Sequence, residues 1–403
     1  MPPTSPTISA AVCAAVAARD ADMRADLAAH VAIPTGHNHA PGLDAYRDIV
    51  ARRLTALGAR TELVPGLPRP EWITPGPPMG NPPPTLIARR IIPGKPALLL
   101  SGHLDTVFHP NGPFKVMVTD ERKRTAIGPG VVDMKGGVLI AMVALESLRE
   151  AGIEVSWTFV LSSDEETGSF CSLPTLESLA RDHTFGLVVE PALEGGGLAI
   201  ARKGSAQFAV EATGRSAHAG RDFEKGVSAV YALAHTLTSL QTLSDPEQGI
   251  TVNVGPLEGG VATNIVPDRA RAWGNIRYPD DKCHRDLNRE LTLMERSGAD
   301  PPAIKIHRVF NRPAKPLTPA VKAMAEAYRT LAAGLGQEVT FAATGGVCDG
   351  NILQSAGLPT LDSLGVRGGG LHTHAEWIDL ASLVERSQLL ACFMASLTEH
   401  PPR

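Results

Sequence analysis

The 403-residue chain is poor in aromatic residues, at 4%, and holds only five cysteines. Cys13, Cys171, Cys283, Cys348 and Cys392 are odd in number, scattered, and form no CxxC pair. That pattern argues against a disulfide framework and a cysteine-based zinc site, and fits a reducing cytoplasm. Basic charge is not in excess: 38 Lys and Arg stand against 42 Asp and Glu, for a net charge of -4. The footprint of a nucleic-acid binder is therefore missing. No apolar run approaches the ~18 residues that would cross a membrane. The Ala-rich residues 1–19 lack a basic n-region before a long apolar core, so they read as a helix start and not as a signal peptide. No G-x-S-x-G elbow and no H-E-x-x-H occur, which disfavours serine hydrolase chemistry and excludes the thermolysin type of zinc site.

What the chain does have is 43% hydrophobic residues, more than one core usually organises, so two domains are expected. Helices are predicted over 43–57, 135–150, 318–335 and 380–397. Short apolar runs at 97–101, 155–161, 186–189 and 359–361 read as buried strands. Their alternation with helices predicts an α/β fold, a mainly parallel sheet flanked by helices. From Gly204 the texture changes. Strands over 207–211, 250–254, 270–278 and 304–309 surround helices over 227–240 and 284–296. That β-α-β-β-α-β order suits an antiparallel, inserted α+β domain. The expected division is a catalytic domain in two parts, 1–203 and 317–403, with 204–316 inserted. Residues 65–84 are a Pro-rich loop, since proline disrupts helix interiors and central strands alike.

Five segments place polar residues where a buried strand ends or a helix begins, the usual position of ligands in open α/β sheets. In Ser101-Gly-His103-Leu-Asp105 the His and Asp share one face of an extended chain. They read either as a hydrogen-bonded pair or as a metal ligand with its orienting carboxylate. In Gly128-Pro-Gly130-Val-Val-Asp133-Met-Lys135-Gly136-Gly137, Asp133 reads as a helix N-cap or as a ligand in a glycine-lined turn. Asp164-Glu165-Glu166-Thr-Gly168 sets three carboxylates together, as a solvated turn or as ligand and general base. Glu190-Pro191 closes another strand. Gly368-Gly-Gly-Leu371-His372-Thr-His374-Ala-Glu376 carries two histidines on a glycine loop.

Taken together and in this order, the motifs resemble the zinc-dependent family of aminoacylases, succinyl-diaminopimelate desuccinylases and bacterial glutamate carboxypeptidases, above all the last branch. The likeness covers nearly the whole chain. It implies that Asp133 bridges two Zn²⁺, with His103 and Glu190 on one ion and Glu166 and His372 on the other. Co²⁺ or Mn²⁺ would be substitutes. Asp105 would orient His103, and Glu165 would be the general base. Charge supports the set: two Zn²⁺ bring +4, three carboxylates bring -3, and a hydroxide closes the balance. The resemblance further implies substrate contacts from His218, Asn264, Arg277 and Gly346, with Arg277 gripping an α-carboxylate. It implies a homodimer through the inserted lid and dimerisation domain, His218 reaching the partner's site.

The activity so implied is hydrolysis of the amide bond before a C-terminal, glutamate-like residue of a peptidyl or acyl substrate. An aminoacylase, or another amidohydrolase on the same fold, is the alternative. Two departures stand out. Cys348 occupies a place where relatives often carry Thr, so it lies either near the substrate or as a buried, inert thiol. The stretch after Pro191 has no lysine, which weakens folate as substrate. The loop 65–84 looks long and is expected to shape the acyl pocket.

Overall fold

Apolar runs bounded by proline and glycine form strands here because both of their faces are covered. The computed structural model describes residues 6–36, 38–76, 80, 82–298 and 300–401. Ala97–His103, Ser156–Ser162 and Phe185–Val188 lie parallel, with Leu100 opposite both Phe159 and Leu187. Thr360–Leu361 extends this set beside Phe185–Val188. On the far side Thr85–Arg90 and Arg60–Val64 add two antiparallel strands, completing a sheet of six.

The period-two alternation of these strands splits their side chains between two cores. Leu98, Leu100, Phe159, Leu161 and Leu187 face one, under the helices Ala40–Ala56, Gly136–Glu150 and Ala381–Glu399. Leu99, Val160 and Val188 face the other, under Leu173–Arg181 and Asp349–Ser355. Helices thus cover both faces. The carboxyl ends of the three central strands come out together, so residues 103, 162–166 and 189–190 share one edge of the molecule.

Past Gly204 the chain builds a second sheet in the order Thr251–Gly259, Arg269–Tyr278, Gly204–Thr213, Ala303–Arg312, antiparallel throughout. Phe208, Val210 and Ile276 pack there against Leu233 of the helix Ala229–Gln241 and Leu291 of Asp281–Leu293. The β-α-β-β-α-β order is the one its sequence pattern implies.

The helix start expected within residues 1–19 is Pro6–Ala17, and a second helix, Asp20–Val31, follows it. Thr85–Arg90 is a strand with no predicted counterpart. One expectation changes. The helix expected from residue 135 begins at Gly136, and Val131–Lys135 is a separate turn, so Asp133 caps nothing. Residues 77–79 and 81 of the Pro-rich stretch lie outside the described residues. Among the described residues no helix is long and apolar enough to cross a membrane.

His30, near the end of Asp20–Val31, is buried against Tyr46, ring centroids 5.1 Å apart, and its Nδ1 has no partner. Burial above all, opposed by Asp26, brings its pKa down from 6.5 to about 4. The unfolded chain accepts a proton near pH 6.5 that the folded chain refuses, so stability is full above that pH and drains as pH falls toward 4. The linked difference is about 3 kcal/mol. His30→Leu is expected to lose less thermal stability than the wild type between pH 7 and pH 4.5. Parallel melting profiles would remove His30 as the cause.

Candidate metal centre and adjoining cavity

The edge where the parallel strands end gathers carboxylates and imidazoles from five separate segments. His103 ends its strand and is almost fully buried. Its Nε2 lies 3.2 Å from Asp133 Oδ1 and 3.8 Å from Glu190 Oε1. The second oxygen of Asp133 faces the other way: Oδ2 is 3.4 Å from His372 Nε2, which is 3.3 Å from Glu166 Oε2. Two groups result, His103–Asp133–Glu190 and Asp133–Glu166–His372, with ligand atoms in each within 4.8 Å of one another. Asp133 belongs to both.

Local sequence explains how Asp133 reaches that midpoint. Gly130 adopts φ +68°, a left-handed conformation that favours glycine, and turns the chain inward. Gly137, in the first turn of the next helix, lies so close to the neighbouring strand end that a Cβ would stand 2.0 Å from the Val189 carbonyl oxygen. The 131–135 turn is then clasped by Glu376, whose carboxylate accepts from the backbone N–H groups of Gly130 (3.0 Å), Val132 (2.8 Å) and Asp133 (3.0 Å). Lys135 pins its other end by donating to the carbonyls of His30 and Ile33 at 3.0 and 2.6 Å.

Asp105 plays a double part. Its carbonyl lies 2.9 Å from His103 Nδ1, and its carboxylate stands 3.5 Å from that atom. The same carboxylate accepts from the backbone N–H groups of Glu165 and Glu166 at 3.2 and 2.9 Å. It therefore orders the acidic turn as well as the imidazole. The three consecutive acids part company: Asp164 turns inward to accept from Cys171 N at 2.7 Å, while Glu165 and Glu166 face the cluster. Glu165 Oε1 is held by Arg312 at 2.7 Å, and Arg312 lies 3.7 Å from Asp349.

The electrostatics are those of a set short of positive charge. Burial, reinforced by Asp133, pushes Glu190 well above the carboxylate range. Burial likewise raises Glu166, whose Oε1 is buried without a hydrogen-bond partner. Glu165 is pushed up to about 8 by burial, against the pull of Arg312. Contacts with Asp133 and Glu166 bring half-exposed His372 up to about 10. Against its own burial, Asp133 is held below the usual range by the two histidines. Among the described residues no lysine or arginine forms an ion pair with Asp133, Glu166 or Glu190. Mixed nitrogen and oxygen donors, an orphaned carboxylate oxygen and one half-exposed imidazole fit a pair of divalent cations with an open side.

A cavity of about 430 Å³ opens beside Glu166. Its walls include Arg277, Arg312, Asn275 and Asn311 from the second sheet, Thr106 and Thr167 from the loops after strands of the first, and Arg69 from the Pro-rich segment. Arg277 is the predicted contact that lines it. His218 and Asn264 are exposed and lie together elsewhere, where Ala219 N donates to Asn264 O on the two-strand pairing of 217–218 with 265–266. Gly346 is exposed, its carbonyl 3.4 Å from Arg202, while the neighbouring Val347 faces the cavity. Cys348 is buried, its Sγ 3.1 Å from Asp362, so of its two expected places the buried one is correct. Sequence reasoning gave no role to Glu376, Arg312 or Asp349. Glu376 stood inside a quoted motif, whereas Arg312 sits at the return from the inserted segment without a local signal.

The family model for peptidase family M20/M25/M40 matches residues 99–396. Carboxypeptidase G2 from Pseudomonas sp. (strain RS-16) is 30% identical over 316 residues, 74% of each chain. A tripeptidase from Staphylococcus aureus shares the fold with TM-score 0.75 at 20% identity, over 94% of this chain and 99% of its own. A Bacillus subtilis protein described as a dinuclear metal binding peptidase of the same family aligns with TM-score 0.64 at 16% identity, over 96% and 99%. With the ordered motifs and the doubled ligand cluster, these matches show that the chain belongs to peptidase family M20/M25/M40.

Proposed function

We propose that this M20 hydrolase is a two-zinc carboxypeptidase that releases an acidic, glutamate-like residue from a peptidyl or acyl group. The observation that carries the reading is the shared carboxylate of Asp133, with His103 and Glu190 on one side and Glu166 and His372 on the other. Two divalent cations held there would polarise the scissile carbonyl and lower the pKa of a water. Glu165 then takes the water's proton and delivers it to the leaving amine. Arg312 fixes the Glu165 carboxylate by ion pairing, and Asp105 fixes the backbone that carries it.

Arg277 supports the carboxypeptidase assignment. Its guanidinium lines the cavity, and Nη1 is buried without a partner. A buried guanidinium nitrogen without a partner is costly until an acceptor arrives. An arginine fork suits an α-carboxylate, which gives the enzyme its demand for a free C-terminus. Residues 204–316 act in this reading as lid and dimerisation domain. His218 and Asn264, exposed together on that unit, complete the site of a second copy of the chain.

Glu165→Gln is expected to keep both metal ions by elemental analysis and to lose about 10²–10⁴ of its turnover on an N-acyl glutamate. Near-normal turnover would remove Glu165 as the base. Glu376→Gln sets an amide N–H₂ against the Gly130 N–H, loosening the turn that holds Asp133. Zinc affinity, measured by chelator competition, should weaken about 10- to 100-fold. An unchanged affinity would refute the clasp.

A further inference from the structure

An acidic leaving residue carries two carboxylates, and the cavity must take both out of water. Its only acidic wall residue among those described is Glu166, assigned above to metal. Three arginines line it, and they are not equivalent. Arg312 is committed to Glu165 and Asp349, and also donates to the Glu165 carbonyl and Ser169 Oγ, each at 2.7 Å. Arg277 is assigned to the α-carboxylate. Arg69 is left. The other polar wall groups, Thr74, Gln207, Asn275 and Asn311 among them, offer hydrogen bonds without charge.

Arg69 is held in place by its surroundings. Its Nη2 donates to the Thr167 carbonyl at 3.2 Å, and its guanidinium carbon stands 5.9 Å from the Phe170 ring centre. The chain on either side is tied to both halves of the molecule. Leu67 N donates to Cys171 O at 3.1 Å on the sheet side. On the other, Trp273 Nε1 donates to Trp72 O at 2.7 Å, and the Trp72 ring stacks on His307 with centroids 5.6 Å apart. Ile73 is buried with Phe170 and Cys171. A proline-rich segment anchored in this way presents its arginine without a large ordering cost on binding.

We propose that Arg69 binds the side-chain carboxylate of the released residue and so sets the preference for an acidic C-terminus. The inference rests on the carboxypeptidase reading given above. It also moves the role of the Pro-rich segment from the acyl side of the scissile bond to the leaving side. The cavity, about 430 Å³, has room for a glutamate-sized residue.

The test compares kcat/KM for N-benzoyl-L-glutamate and N-benzoyl-L-glutamine, a pair differing in side-chain charge alone. The wild type should favour glutamate at least tenfold. Arg69→Gln should lower the glutamate-to-glutamine ratio on the order of ten- to a hundredfold. Arg69→Lys, which keeps the charge but not the fork, should recover part of it. Both substrates are measured on one preparation, so partial misfolding cancels in the ratio. An unaltered ratio in Arg69→Gln overturns the role of Arg69 and leaves the acidic preference standing. A wild-type ratio near one, or cleavage of neither compound, overturns the acidic preference and this inference together.

Discussion

Three carboxylates that repel one another are brought to a single point of this molecule, and the rest of the architecture follows from what is needed to keep them there. Asp133, Glu166 and Glu190 are buried or nearly so, and among the described residues the ion pairs they form are with two imidazoles, His103 and His372. Removing several anions from water without compensation is prohibitive. Protonation relieves the strain in part, which is why Glu166 and Glu190 are pushed upward. Two divalent cations would relieve it further, one among the residues on each side of the shared Asp133.

The fold supplies the rigidity this requires. Parallel strands end in register, so His103, the acidic turn and Glu190 arrive at one edge without long connections. Asp133 comes from a turn instead, and turns are less constrained. The Glu376 carboxylate compensates, since three short backbone hydrogen bonds fix the turn from behind. Asp105 does the same for the acidic turn. These supporting carboxylates do not line the cavity, yet they hold the backbone that carries Asp133, Glu165 and Glu166.

The legibility of the sequence followed the range of the interactions involved. Buried strands such as Ala97–His103 are local facts, since an apolar run between Pro96 and Gly102 has few alternatives. The motifs were most readable where a candidate ligand ends or closely follows a buried strand, as His103 and Glu190 do. What escaped was non-local. Arg312 meets Glu165 across 147 positions of sequence, and no spacing announces such a pair. Glu376 reaches Gly130 across 246 positions, and its motif suggested metal chemistry without revealing a backbone clasp. Thr85–Arg90 was missed because it is an antiparallel strand that ends in two arginines and follows a proline-rich stretch. The Pro-rich segment itself read only as a loop. Its anchoring on Trp273 and His307, which turns Arg69 into the cavity wall, depends on packing between two units that the sequence lists far apart.

The most direct measurement is anomalous diffraction at the zinc edge from crystals of the full chain grown with zinc. The account predicts two peaks about 3.5–4 Å apart, one among His103, Asp133 and Glu190 and the other among Asp133, Glu166 and His372. A single peak, or peaks that leave Asp133 uncoordinated, would contradict it.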